Sequence, residues 1–408
     1  MVFDLLRRTD QPVERKTSTA ARVVTWPATS APVWSGRDTA ALTRNGFAAN
    51  PVGHRAVKMI VEAAAALPLV LQDDSRRYDS HPILTLLARP NPMQGRAELL
   101  EALYGHLLLS GNAYIKAAGL PQGGAEQTTE QTSGGPNTLP TELHVLRPDR
   151  MRVVPGADGW PIAYDYEVGG RKRRYDVSPR APQICHLRSF HPQDDHYGLS
   201  PMQAAAMAVD VHTAASRWSK GLLDNAARPS GALVWTSSDG MGVMQEDQFR
   251  RLSDEIQANY QGARNAGRPM VLEGGLDWKP MGFSPSDMEF QQTKEAAARD
   301  IALAFGVPPM LLGLPGDATY ANYQEANRAF FRLTVLPLVS RVAAALSDWL
   351  SLFGDQPLVL RPDLDQVPAL AGEREAHWRR ISRADFLTRA EKRALLGLPP
   401  LNEEQGDD

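Results

Sequence analysis

The apolar positions of this 408-residue chain change period several times, and each change predicts an element. Leu99, Leu100, Leu103, Leu107 and Leu108 recur at three-to-four spacing, which lines one face of a helix. Gly111 closes that helix, and Asn112 to Ala117 reads as a strand. Upstream, a helical stretch runs through Val57 and Ile60 to Ala66, and a shorter one from His81 to Ala88. The shorter helix stops at Arg89-Pro90-Asn91-Pro92, because each proline disfavours helix in the residue before it. Residues 119–140 are Gly, Gln, Thr and Pro with almost no apolar content, so a flexible loop is expected there. Short strands follow at Glu142–Leu146, Met151–Val154, Ile162–Val168, Arg174–Val177 and Gln183–Leu187, with Gly169-Gly170 as a hairpin turn.

Beyond residue 200 the pattern becomes helix, small mixed module, helix. Ser200-Pro201-Met202-Gln203 is a helix-start signature, and that helix reads to about Ala226. Residues 229–283 predict a strand (Gly231–Thr236), a helix (Gln245–Tyr260) and two strands (Met270–Glu273 and Leu276–Met281). Phe249, Leu252, Ile256 and Tyr260 share one stripe, so this module can own a small core. Ser286-Asp287-Met288-Glu289 opens a further helix that runs to Phe305. Both flanking helices are alanine-rich, with Ala204, Ala205, Ala208 and Ala215 in one and Ala296 and Ala297 in the other. Small side chains let helices approach closely, which suggests a thin stalk. Alanine is also simply a good helix former.

Val307 to Thr319 reads as a loop, given Pro308, Pro309, Gly313, Pro315 and Gly316. A long helical pattern then spans Tyr320 to Phe353 with Pro337 inside it, and proline predicts a kink or break. Short helices end the chain, one opened by the box Thr388-Arg389-Ala390-Glu391, and an acidic tail follows Leu401. Residues 1–40 are mixed polar and weakly periodic, and a mobile arm is expected.

The formal net charge of −3 excludes a chain that is basic throughout. Cys185 is the single cysteine, so no intrachain disulfide forms, and a reducing compartment fits. The longest greasy stretch, Ala63 to Leu71, is too short for a membrane span, and no secretory leader is read. No G-x-x-x-x-G-K-[ST], H-E-x-x-H, G-x-S-x-G or G-x-G-x-x-G occurs, so no phosphate cradle, zinc-protease helix or nucleophile elbow is predicted. Cys185, His186, His191, Asp194, Asp195 and His196 are zinc-ligand types, but Cys185 and His186 would point to opposite faces of a strand. Asp363 and Asp365 are paired carboxylates on a proline-flanked turn. Arg171-Lys172-Arg173-Arg174 is the one dense basic run. These residues predict no catalytic residue, no metal and no cofactor.

Five short blocks, in order, resemble the portal proteins of long-tailed bacteriophages and bacterial gene transfer agents. They are His81-Pro82-Ile83-Leu84 with Arg89-Pro90-Asn91-Pro92, Gly111-Asn112-Ala113-Tyr114, Gly198-Leu199-Ser200-Pro201, Ile301 to Gly313, and Gly397-Leu398-Pro399-Pro400-Leu401. The resemblance covers about Asn50 to Leu401. It departs at Ala390-Glu391, where the family often has Asn-Glu, and in the longer 119–140 loop.

The resemblance implies an α+β portal fold with a mixed α/β wing, a two-helix stem, a small α/β clip, a long kinked helix and a short helical crown. By position these are an arm (1–40), a wing (41–199), stem helix 1 (200–228), a clip (229–283) and stem helix 2 (284–306). A tunnel loop (307–320), the long helix with a return to the wing (321–373), and a crown with acidic tail (374–408) follow. The tunnel loop would set Pro308, Pro309, Met310, Leu311, Leu312, Leu314 and Tyr320 against the channel as an apolar constriction. The clip would offer Arg264, Arg268 and Lys279 to the motor and adaptor. The implied partners are other copies in a ring of twelve, the major capsid protein, the large terminase subunit, a head–tail adaptor and double-stranded DNA without sequence preference. No membrane is implied. The implied location is the portal vertex of a particle assembled in the bacterial cytoplasm. The competing readings are another head–tail connector protein, or a packaging ATPase or nuclease.

Overall fold

The computed structural model describes residues 36, 38–73, 76–119, 139–178, 182–224, 231–235, 246–259, 276–280, 290–315, 320–354 and 358–398. Nearly all of the expected arm and of the 119–140 loop lie outside these residues. So do Arg264, Arg268, the expected strand Met270–Glu273, the Ser286 box and the acidic tail.

Helix is present upstream of the stretch through Val57 and Ile60. A short helix α1 (Thr39–Leu42) runs into a π-helical turn (Thr43–Ala48), then α2 (Pro51–Ala66) starts. Asn50 caps α2 by accepting from the N–H groups of Val52 and Gly53 at 3.1 and 3.0 Å, and Pro51 sits where no N–H is needed. Strands β1 (Leu69–Gln72) and β2 (Arg77–Tyr78) follow, then α3 (Pro82–Ala88) and α4 (Arg96–Ser110). The leucine stripe of α4 is buried together with Tyr104, and the helix ends at Gly111 in the left-handed region, φ 76°.

Strands β3 (Asn112–Ala118), β4 (Glu142–Leu146) and β8 (Ile184–Arg188) form an antiparallel sheet in the order β4–β3–β8. Alternation gives the sheet two different faces. Ala113, Ile115, Ala117, Leu143, Cys185 and Leu187 join the main core with α2 and α4. On the other face Tyr114 and Ile184 meet a second sheet of β5 (Met151–Pro155), β6 (Pro161–Val168) and β7 (Arg171–Asp176), which contributes Met151, Val153, Tyr164 and Tyr175. Gly169 and Gly170 make the β6–β7 turn with φ 57° and 76°.

β7 begins three residues before the expected Arg174, so the basic run is strand. The reason lies across the ladder. Asp165 faces Arg174 in register, and Arg174 and Lys172 both reach its carboxylate at 2.8 Å. Those two cations hold the buried Asp165 well below the usual carboxylate range. Asp165→Asn should therefore lower the melting temperature at pH 7. A group whose folded pKa is depressed stabilises above its unfolded pKa of about 4 and loses that contribution as pH falls. The gap between wild type and variant should begin to narrow as pH falls below ~4; a gap that stays constant in melts down to pH ~3 would refute this assignment.

After β8 the chain enters α5 (Pro201–Ala204) and α6 (Ala206–Asp224), capped by Ser200, whose hydroxyl accepts from Gln203 N–H at 3.0 Å. Strand β9 (Gly231–Trp235), helix α7 (Glu246–Asn259) and strand β10 (Leu276–Pro280) follow, with β9 and β10 antiparallel. The chain returns through α8 (Phe290–Ala304). Residues 307–315, expected as plain loop, contain a 3-10 turn at Pro309–Leu312.

The long helix continues without a break through Pro337. It comprises α9 (Tyr320–Phe330), a π-helical turn (Phe331–Val335) and α10 (Leu336–Ser351). Pro337 has no N–H for the Leu333 carbonyl, and the π turn just before it shifts the ladder, with Leu336 N–H bonding Phe331 O. By length and composition Ala321–Ser351 could cross a membrane, a test that Ala63–Leu71 fails. Val339, Val342, Ala343, Leu346, Trp349 and Leu350 are instead buried in the main core. The Ser347 hydroxyl accepts from Leu360 N–H at 2.6 Å and so ties α10 to β11 (Val359–Pro362). β11 completes the sheet β11–β1–β2, a pairing of residues nearly 300 apart. Helices α11 (Ala371–Ser382) and α12 (Arg389–Leu396) end the described chain, α12 with the expected Thr388–Glu391 capping box.

Candidate functional site

Helices α6 and α8 form an antiparallel pair. Trp218 near the far end of α6 stacks on Phe290 at the start of α8, ring centroids 3.8 Å apart, while α5 meets α8 at the near end. The alanines divide into two sets. Ala205, Ala215 and Ala297 are buried within the subunit, Ala208 is half-buried, and Ala204 and Ala296 are exposed. Met207 and Leu303 are also exposed, at 62% and 77%, opposite the buried stripes of α6 and α8. Counting from the Trp218–Phe290 stack at 1.5 Å per residue puts them at about the same height.

Two close approaches fix this helix pair to the rest of the subunit. In the first, Asn50 turns its amide nitrogen to His212 Nδ1 at 3.2 Å and donates to Thr213 Oγ1 at 3.3 Å, both on α6. Burial, then Lys294, pushes the His212 pKa down, so the neutral ring accepts at Nδ1. Gly46 lies against Met202, where a Cβ would come within 2.2 Å of the sulfur.

The second approach joins blocks 86 residues apart. Asn112 Oδ1 accepts from Gly198 N–H at 2.8 Å and from His186 Nε2 at 3.1 Å, and Asn112 Nδ2 donates to Ser110 O at 2.9 Å. Ser189 N–H donates to Gly111 O at 2.8 Å. The Gly-Asn-Ala-Tyr and Gly-Leu-Ser-Pro blocks are therefore two halves of one clamp just before α5. Beneath it, His186 stacks on Tyr114 at 4.2 Å, and burial pushes the His186 pKa down to about 3. Sequence reasoning quoted both blocks without assigning Asn112 or Gly198 a role; a side chain satisfying three groups becomes visible only when distant segments meet.

The loop after α8 is held at both ends. Gly306, φ 66°, takes a hydrogen bond on its carbonyl from Thr334 Oγ1 at 2.6 Å, and Arg299 donates to Pro315 O at 2.5 Å. Ile301, Ala302, Phe305 and Val307 are buried, so much of the most distinctive block is core packing. Pro308, Pro309, Met310, Leu311, Leu312 and Leu314 are all half-buried. Leu311 and Leu312 pack on the subunit's own core, which leaves Met310 and Leu314 as its less committed apolar side chains. Tyr320 begins α9. Lys279 stands on β10 opposite Ala232.

The remaining candidates are structural. Cys185 faces the main core, where burial pushes its thiol up to about 12, and His186 faces the second sheet. Asp363 takes Arg77 at 2.9 Å and Asp365 takes Arg374 at 2.6 Å. Among the described residues no three His, Cys, Asp or Glu side chains gather to hold a metal. A shallow groove of about 730 Å³ beside α3 contains His81, whose Nδ1 already caps the helix.

A helix pair with an inserted α/β unit, rooted in a clamped body of helices and three small sheets, defines a structural assembly subunit. The chain belongs to the phage portal protein family, which it matches over residues 51–397. It is 63% identical to a chain in the neck of a native gene transfer agent particle computed with C12 symmetry, covering 91% of this chain and 96% of that one, TM-score 0.67. It is 29% identical over 366 residues to the portal protein of Escherichia phage T5, covering 86% and 81%. An HK97-family phage portal protein from Corynebacterium diphtheriae shares the fold, with TM-score 0.55 at 18% identity and coverage of 82% and 99%.

Proposed function

We propose that this protein is the portal subunit of a gene transfer agent or phage particle, and that twelve copies close into a ring through which double-stranded DNA enters and leaves. The observation that carries this reading is the antiparallel α6–α8 pair bearing a small α/β unit, in a chain matched over nine-tenths of its length to a neck chain computed with C12 symmetry. A head-to-tail interface closes into a ring when its rotation divides a full turn.

In this reading residues 41–199 form the wing, to which 321–373 return. Segments 200–228 and 284–306 are the stem, 229–283 the clip and 374–408 the crown. The outward stem face, with Ala204, Met207, Ala296 and Leu303, meets the neighbouring copy. The clip carries Arg264, Arg268 and Lys279 toward the large terminase subunit and then the head–tail adaptor, while the wing meets the major capsid protein. Residues 307–320 project into the channel, with Met310 and Leu314 as its apolar constriction and Leu311 and Leu312 anchoring the loop. The family is structural, so the energy that moves DNA comes from a partner ATPase. Electron microscopy of the purified full chain should show rings with a central hole and residues 308–314 at its narrowest point. Absence of rings, or this loop on the outer wall, would overturn the reading.

A further inference from the structure

The formal charge of −3 conceals a local excess. Seven basic and three acidic residues stand between Arg374 and Leu398, a formal +4, so the other residues together carry −7. Tertiary structure concentrates this excess. Lys392 Nζ on α12 donates to the Ser382 carbonyl at the end of α11 at 3.1 Å, and the His377 ring meets the Leu395 carbonyl at 3.4 Å. The first contact brings Lys392 to the end of α11, next in sequence to Arg383. Arg389 and Lys392 are three residues apart on α12 and share a face.

The seven cations are only partly neutralised, and Asp365 from outside the segment takes Arg374. Glu375 pairs with Arg379. Glu391 is spent on the helix cap, accepting from both the Thr388 N–H and hydroxyl at 2.8 Å. Only Asp385 remains. Arg380, Arg383 and Arg389 are exposed, and among the described residues none of them is in an ion pair; Arg380 contacts His377 Nδ1 at 3.1 Å.

The bland account is that cations at a helix C-terminus answer the helix dipole. It covers Arg379, Arg380 and Arg383 on α11. It does not cover Arg389, which opens α12, where positive charge opposes the dipole. Six of the seven cations are arginine, whose planar fork matches phosphate oxygens two at a time. Exposed Trp378 and Phe386 interleave with them.

We infer that the α11–α12 face is a docking surface for the phosphate backbone of duplex DNA. The choice of DNA over an acidic protein segment rests on the portal reading; the cationic face itself does not. The chain also carries its own rival for the site, since Glu403, Glu404, Asp407 and Asp408 follow α12 closely in sequence.

The test is fluorescence anisotropy of a short labelled duplex titrated with the full-length protein from about 50 to 200 mM salt. The variants are Arg380→Gln/Arg383→Gln/Arg389→Gln, the same triple to lysine, and Glu403→Gln/Glu404→Gln/Asp407→Asn/Asp408→Asn. The glutamine triple should weaken binding at low salt roughly tenfold or more, and lower the salt slope by about 3, near 0.9 per phosphate lost. The lysine triple should keep the slope, and all three changed side chains are exposed, so melting should stay at the wild-type temperature. No binding by wild type, an unchanged slope in the glutamine triple, or binding that appears only when the four acids are neutralised would each overturn the inference. Rings are scored by microscopy in the same samples. Their absence would count against the portal reading and would leave the slope measurement to decide the face.

Discussion

Gly198→Ala is expected to lower stability by roughly 3 kcal/mol or more, through overpacking against backbone that cannot yield. A Cβ at Gly198 would lie 2.1 Å from the Gly111 carbonyl oxygen and 2.6 Å from the Ser189 nitrogen. Those two atoms belong to the clamp, where Ser189 N–H bonds Gly111 O, so relief of the clash costs that bond and the Asn112 contact with Gly198 N–H. Each buried group left unsatisfied adds about 1–3 kcal/mol. Gly105→Ala in α4 is the internal control. A Cβ there meets nothing within 4 Å, and alanine is favoured over glycine in a helix by about 0.5–1 kcal/mol. Thermal melts should place the Gly198 variant well below wild type and the Gly105 variant at or above it. Equal melting of the two would remove the clamp from the account.

Met207→Lys/Leu303→Lys should abolish rings while leaving the subunit folded. Both side chains are exposed in the subunit, so its melting temperature should change little, and surface changes of this kind usually cost under about 0.5 kcal/mol. If the outward stem face meets a neighbour, each interface loses about 1.5–3 kcal/mol per buried apolar side chain and gains a desolvated charge, repeated round the ring. Native mass spectrometry should then report subunits in place of closed rings. Ala297→Leu is the contrasting variant. Ala297 is only 4% exposed within its own subunit, so its enlargement should lower the melting temperature first. Rings of full size from the double lysine variant would move the interface off this face.

Much of the secondary structure was legible because it is written locally. The α4 stripe, its glycine stop, the Gly169-Gly170 hairpin and the Thr388 capping box each depend on residues a few positions apart. The misjudged elements depend on distant partners. β7 starts at Arg171 because Asp165 on β6 binds Arg174 and Lys172; read alone, the basic run lacks a strand's alternation. β1 and β11 are invisible as a pair because each is only four residues long and the partners lie nearly 300 residues apart. Pro337 signals an irregular helix, but the π turn that absorbs it is a property of the preceding turn and its packing.

The same division holds for the candidate site. The sequence by itself determined the helix–module–helix order of residues 200–306, the absence of a phosphate-cradle motif, the alanine-rich helices and the five blocks that marked the family, because each is a matter of local spacing or composition. Tertiary structure decided which alanines are spent inside the subunit and which loop leucines anchor rather than project. It also decided that Asn112 and Gly198 form one clamp, and that the charge excess near the end of a mildly acidic chain gathers on one helical face. Burial, close approach and charge density are relations between distant residues, and folding alone brings those residues together.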